Sequence, residues 1–158
     1  MVAEPLEFRI VQNLQAALRN ISVANGYHHD IAALSVKLDP NQDIESLIGD
    51  EALRPFLILA LSPDAYDYFP AEQIRLRMPF IIHAINNTDP TEDDSKLKSY
   101  LRLCADVEKA IAADSTRGEL ATDTRIFGRE MHEFDGQQVW AMVEGEIREH
   151  RTYGEPNG

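Results

Sequence analysis

The segment QIRLRMPFIIHAIN, residues 73–86, most limits what this chain can fold into. Polar and apolar residues alternate along it, as in an extended strand. One face would carry Ile74, Leu76, Met78, Phe80, Ile82 and Ala84. The strand would be about 46 Å long at ~3.3 Å per residue, whereas a globule of this size has a radius of gyration of about 15 Å. It must therefore bend or project from the body. Pro79 lacks an N–H group, which predicts an edge or a bulge there.

The apolar spacing from Leu6 to Ile21 predicts a first helix that ends near Asn20. Four further segments predict strands: IAALSVKL, PFLILALS, TRIFGREMHEF and QQVWAMVEGEIREHR. PFLILALS is apolar on both faces, which favours an interior strand. Asp135-Gly136, between the last two strands, is a hairpin signal. The segment 41–54 reads as a loop with room for one helical turn.

A second helix is predicted after the long strand. Asp89 can act as its N-cap, Pro90 suits the first helical position, and Glu92 completes a capping box. The residues that share its apolar stripe are Leu97, Leu101, Cys104, Val107 and Ile111. We therefore expect Cys104 to be buried and chemically inert.

The element order α-β-β-β-α-β-β predicts an α+β fold. Two main helices would pack on a mainly antiparallel sheet of about four to five strands. No repeat or composition change divides the chain, so we expect a single domain over 1–158 with a loose C-terminal end at 151–158.

Composition excludes several classes of function. The net charge of −12 disfavours nucleic-acid binding as the main role, because an acidic surface repels phosphates. The single cysteine excludes an internal disulfide and fits a reducing cytoplasm. No apolar run reaches the ~20 residues that a membrane span needs, and the N-terminus does not resemble a secretion signal.

The stretch ANGYHHDI poses the question of a metal or proton-transfer site at His28-His29-Asp30. Neighbouring side chains of an extended segment point to opposite faces, and no further spaced His/Cys ligands follow. We interpret it as a polar turn, whose two histidines could be replaced by Ala with little loss of stability. His132-Glu133 resembles the start of a zinc-protease helix, but Gly136 stands where the second histidine is needed.

Other catalytic patterns are also missing. The sequence has no GxSxG elbow and no glycine-rich phosphate loop. The acidic residues from Asp89 to Asp94 lack the ligand spacing of a calcium loop and suit a helix start instead. The sequence therefore predicts a protein that is not an enzyme and needs no cofactor or metal.

Two features suit contact with another protein. Tyr66, Tyr68 and Phe69 lie in a loop between strands, where aromatic side chains could anchor a partner or fold back onto the core. Arg75 and Arg77 share one face of the long strand. They could meet carboxylates of a neighbouring copy or form a solvated face.

In the order of its segments, the chain resembles the tail-terminator, or tail-completion, proteins of long-tailed bacteriophages. The segments that carry the resemblance are RIVQNLQAALRNI, NGYHHDI, RPFLILAL, IRLRMPFIIHAI, LCADVEKAIAAD and VWAMVEGEIREHRTYGEPN. Together they cover nearly the whole chain and contain no catalytic signature.

The resemblance implies a small α+β structural protein of the virion that forms a ring, commonly of six copies, at the neck end of the tail. The ring would stop tail-tube polymerisation and join the tube to the head-side connector, while DNA passes through its lumen without specific binding. Assembly would take place in the host cytoplasm, without a membrane. Two alternatives stay open: an acidic inhibitor or immunity-type binding module, and a small metal-dependent enzyme using His28 or His29 together with His132.

Overall fold

A computed structural model describes residues 4–32, 36–38, 55–61, 65–69, 73–88, 91–132 and 138–152, and only the backbone at 37, 65–69, 73–76 and 150–152. The elements in chain order are α1 (Leu6–Arg19), β1 (Val36–Leu38), β2 (Phe56–Leu61), β3 (Ala65–Phe69), β4 (Gln73–Asn87), α2 (Ser95–Ala112), β5 (Asp123–His132) and β6 (Gln138–Thr152). The α+β class is confirmed, and the predicted elements occur in the predicted order. β3 is an additional strand within the segment that was predicted to be a loop.

The sheet has the strand order β1-β2-β4-β6-β5, with β3 lying beside β4 next to the end of β2. β1 is parallel to β2, and all the other pairs are antiparallel. β2 is an interior strand, as its apolar sequence predicts. β4 pairs with β3 up to Arg77 and with β2 from Phe80 onward. Pro79 lies between these two stretches. The missing N–H group thus falls where one partner strand ends and the next begins.

β4 has 15 residues and pairs with β6 over all of them. Met78 and Ile147 are the last described core residues in this direction, and they face each other in the register. Five more residue pairs continue beyond them, as far as Gln73 opposite Thr152. We call these five pairs, together with β3, the β extension.

The core lies between the two helices and one face of the sheet, which we call the inner face. α1 contributes Leu6, Ile10, Leu14 and Leu18 at helical spacing, as predicted. β4 and β6 contribute alternate residues, from Met78 to Ala84 and from Val139 to Ile147. The opposite face of the sheet carries neither helix and is called the outer face below.

α2 differs from its prediction in where it begins. It starts at Ser95, because Asp94 adopts a left-handed backbone conformation (φ 57°) and interrupts the helical path. The Glu92 carboxylate does not complete a capping box; it contacts Lys98 at 3.2 Å and Arg102 at 4.0 Å. Asp89 and Pro90 lie outside the described residues.

The buried stripe of α2 is also rotated from the predicted one. Its members are Leu103, Cys104, Asp106, Val107, Ala110 and Ile111. Leu97 and Leu101 are 51% and 45% exposed, so their assignment to the core was wrong. At 100° per residue, Leu97 and Leu101 lie beside this stripe, whereas Leu103 and Asp106 lie within it.

β5 and β6 form an antiparallel pair, as predicted. The predicted turn at Asp135-Gly136 and the loop 41–54 lie outside the described residues. β6 continues through Thr152, so Arg151 and Thr152 belong to the sheet and not to a loose end; residues 153–158 lie outside the described part. No helix in the described ranges is long and apolar enough to span a membrane.

Candidate functional site

An open cleft lies on the outer face of the sheet, with a volume of about 510 Å³. Strands β2, β4, β5 and β6 all contribute to it. Its lining consists of Ala60, Leu61, Arg77, Pro79, Phe80, Ile81, Phe127, Glu144, Gly145 and Glu146. The cleft therefore combines an apolar surface with a few charged groups, the composition expected of a binding surface.

Phe127 is exposed because β5 has a bulge at this residue. Ile126 pairs with Gly145 of β6, and Gly128 pairs with the next residue, Glu144, so that Phe127 has no partner in the register. A bulge of this kind redirects a side chain from the regular alternation. Phe127 is 58% exposed and lines the cleft. A large apolar side chain held in this position is available for contact with another molecule.

Glu146 is the charged centre of the cleft, and its side chain is only 1% exposed. Arg77 donates hydrogen bonds to its carboxylate from Nε at 3.3 Å and Nη2 at 3.1 Å, and Arg148 donates from its own Nε. Burial acts to raise the pKa of the Glu146 carboxyl, but the hydrogen bonds and charges of the two arginines outweigh burial and lower it. The buried charge is thus compensated within the chain.

Arg77 was predicted to be a contact residue, and its guanidinium has a carboxylate partner in its own chain. The side chain nevertheless remains 42% exposed at the rim of the cleft. Arg75 belongs to β4 and stands opposite Asp67 of β3 and His150 of β6 in the register, but its side chain lies outside the described atoms. The same holds for Tyr66, Tyr68 and Phe69, which belong to β3 and not to a loop.

A second polar cluster on the outer face contains the single tryptophan. Trp140 donates a hydrogen bond from Nε1 to Nδ1 of the buried His83 at 3.0 Å, and its ring stacks on His132 at a centroid distance of 4.5 Å. Burial lowers the pKa of His83, and the nearby His132 lowers it further. His83 is therefore held neutral as a hydrogen-bond acceptor.

The His28-His29 pair lies in the turn predicted from the sequence, and a buried carboxylate of α2 holds this turn. Asp106 accepts hydrogen bonds from the backbone N–H groups of His28 at 2.8 Å and His29 at 3.0 Å. It also contacts Nδ1 of His29 at 2.8 Å. The prediction that both histidine side chains are dispensable assumed that both are exposed, whereas His29 is partly buried and contacts the buried carboxylate of Asp106. His28 is exposed, as expected.

No group of three or more His, Cys, Asp or Glu side chains that could hold a metal occurs within the described ranges. Cys104 is fully buried on α2, as predicted, and burial raises the pKa of its thiol to about 11. The described acidic and imidazole side chains that are buried, Asp106, Glu146 and His83, each have a partner within the chain.

Sequence reasoning missed Glu146 and Phe127. The run Glu144, Glu146 and Arg148 alternates along β6 and could have indicated a charged face opposite Arg77. Phe127 next to Gly128 breaks the alternation of β5, which is a weak signal for a bulge.

Neither a scan against protein-family models nor a search of the curated proteins finds a match for this chain.

Proposed function

We propose that this chain is a structural subunit of the tail-terminator kind, which forms a ring on the end of a phage tail tube. The ring stops tube polymerisation and presents a surface to the head-side connector. The order of segments described above supports the proposal at the level of sequence. The β extension is the structural observation that carries it, because it supplies main-chain edges beyond the body of the subunit.

On the inner face of β6, the described core of the subunit ends where the β extension begins. After Ile147 the next residue on that face is Glu149, which is charged, whereas the preceding side chains in the core are Val139, Ala141 and Val143. Five residue pairs of β4 and β6 follow, a length of about 16 Å at ~3.3 Å per residue. A sheet that continues so far past its last described core residues can be stabilised by another chain.

β3 makes one edge of this extension. It pairs with β4 in antiparallel register, and no described strand pairs with its other edge. An edge of this kind can accept a strand from a second chain by β-augmentation, in which main-chain hydrogen bonds supply affinity. A head-to-tail contact that closes on itself produces a ring with two different faces, as a joint between two structures requires.

The charge of the chain suits a ring through which DNA passes. Each copy carries a net charge of −12, so six copies would surround the lumen with a strongly acidic assembly. An acidic wall repels phosphates and lets DNA slide without being retained.

The test is a tube-assembly experiment with the purified protein and its tail tube protein, scored by negative-stain electron microscopy. We expect rings on tube ends and a narrow distribution of tube lengths. Arg75→Glu should keep the fold and abolish the length control, since position 75 lies in the β extension. Arg9→Glu on α1 serves as a matched charge reversal and should retain it.

Arg77→Glu is not a suitable probe, because it would place a second carboxylate against the buried Glu146. Tubes of unchanged length in the presence of the wild-type protein, with bare ends, would refute the proposed function.

A further inference from the structure

The exposed apolar side chains of the described residues are concentrated on two elements. Six large hydrophobic residues are exposed, and four of them belong to α2 and β5. These four are Leu97, Leu101, Phe127 and Met131. They form two separate surfaces, since the sheet lies between them.

The first surface is on the helical side of the molecule. Arg129 of β5 pairs with Glu108 of α2 at 2.9 Å, so residue 129 and the alternate residue 131 face the helices. β5 begins near the C-terminal end of α2, where Thr124 donates a hydrogen bond to Ser115. β5 therefore runs antiparallel to α2, which puts Met131 on the side of Leu101 and Leu97. We call these three residues the leucine surface.

The second surface is the cleft around Phe127 on the outer face. Glu130 and His132 alternate with Met131 and face outward, where His132 stacks on Trp140. Glu130 stands opposite Met142, and Glu144 is opposite Gly128, so both carboxylates flank Phe127. Both are exposed, and neither forms an ion pair in the described part of the chain.

The charges of the two surfaces are opposite. The first eight residues of α2, SKLKSYLR, contain Lys96, Lys98 and Arg102 around the two leucines and no acidic residue. All three cations are exposed, and Lys96 has no carboxylate partner among the described residues. The cleft presents Phe127 with Glu130 and Glu144. In a chain of net charge −12, an apolar stripe flanked by cations is complementary to an apolar cleft flanked by free carboxylates.

We propose that copies of this chain associate head to tail, with Leu97 and Leu101 of one copy packing into the Phe127 cleft of the next. Lys96, Lys98 and Arg102 then lie against Glu130 and Glu144 and set the orientation. The two surfaces are different, so the contact is heterologous and can continue around a ring. This inference rests on the proposed function for its biological setting, because it adds a side-chain contact between neighbouring copies to the main-chain edge that the β extension offers.

A mixing experiment tests the contact directly. Leu101→Asp damages only the leucine surface, and Phe127→Asp damages only the cleft. Each variant alone should self-associate roughly 30-fold more weakly than the wild type, as for the loss of an interface anchor. An equimolar mixture should form a 1:1 dimer through the one leucine surface and the one cleft that remain intact. Sedimentation velocity and native mass spectrometry measure the species.

The controls separate contact from folding. Phe8→Asp replaces an exposed apolar residue of α1 and should assemble like the wild type. Glu144→Lys leaves the apolar residues of both surfaces unchanged and should also weaken association. Circular dichroism spectra of all the variants should match that of the wild type, since every replaced side chain is exposed.

Three results would overturn the inference: a wild-type protein that stays monomeric up to its solubility limit, single variants that assemble normally, or a mixture of monomeric variants without a dimer. The tube assay separates these failures from failure of the function. If the wild-type protein limits tube length but both variants still self-associate, the contact alone is refuted. If the variants lose self-association but the wild-type protein has no effect on tubes, the function alone is refuted.

Discussion

Asp106 is a residue whose role depends entirely on a distant segment. It lies on the buried stripe of α2, where a carboxylate is costly unless it is hydrogen-bonded. Its oxygens accept the backbone N–H groups of His28 and His29 and contact Nδ1 of His29, across 77 and 78 positions of sequence. The turn was predictable from the stretch ANGYHHDI, which contains the turn-forming pair Asn25-Gly26. Its anchor was not predictable, because nothing in the local pattern of α2 points to residue 28 or 29.

This arrangement predicts unequal effects of the two histidines. Asp106→Ala should destabilise the protein by about 3 kcal/mol, because it leaves the turn without its acceptor. His29→Ala should cost about 1–2 kcal/mol, whereas His28→Ala should stay within about 0.5 kcal/mol as an exposed substitution. Urea denaturation measures all three. Equal effects of His28→Ala and His29→Ala would contradict the assigned role of Asp106.

His83 should make stability depend on pH. Its pKa is lowered in the folded state, so the stability it contributes is present above the unfolded value of about 6.5 and is lost as the pH falls below it. Protonation at Nδ1 would break the bond from Trp140 Nε1. In His132→Gln, which removes the other imidazole, the fluorescence of Trp140 should therefore change with a midpoint below 6.5.

His83→Gln in the same background keeps an acceptor and should abolish that transition. A transition that persists in this double variant would show that another group reports on Trp140.

At the scale of elements, periodicity predicted both α-helices and five of the six strands in the described part of the chain. β3 was missed because AYDYF is short and lies between turn-forming residues, so only its pairing with β4 reveals it. The cleft could not be predicted either, because four strands form it and the bulge at Phe127 shifts the register of β5 against β6. The predicted start of α2 was wrong because Asp94 adopts a left-handed backbone conformation. The acidic residues that precede the helix do not reveal this conformation.

The contact between β4, β5 and β6 predicts a strict requirement for glycine at position 145. A Cβ atom there would lie 2.2 Å from the Arg125 carbonyl oxygen and 2.6 Å from Phe80 Cζ. Gly145→Ala should therefore destabilise by about 3 kcal/mol or more, because a backbone atom has to move. Gly128→Ala is the matched control: a Cβ at 128 meets nothing within 4 Å, and stability should change by less than about 1 kcal/mol. Thermal unfolding of the two variants compares them, and equal losses would argue against the close approach at Gly145.

At the scale of the whole molecule, the charge determines which partners can approach. With a net charge of −12, the protein should not retain duplex DNA at about 150 mM salt, since it offers too few cations to displace condensed counterions. A gel-shift titration with free and assembled protein measures this. Salt-sensitive binding at micromolar concentration would contradict the acidic lumen of the proposed ring.

The complete pairing of β4 with β6 also governs the order in which the molecule can be built during translation. The ribosome makes β4 first and must then supply α2 and β5 before β6 emerges, which takes several seconds at about 5–20 residues per second. Throughout that interval β4 lacks β6, the strand that pairs with one whole edge of β4, while α2 can form from local contacts. Nascent chains halted before Gln138 should therefore bind chaperones or aggregate. Emergence of β6 from the ribosome should prevent this, because β6 then covers the exposed edge of β4.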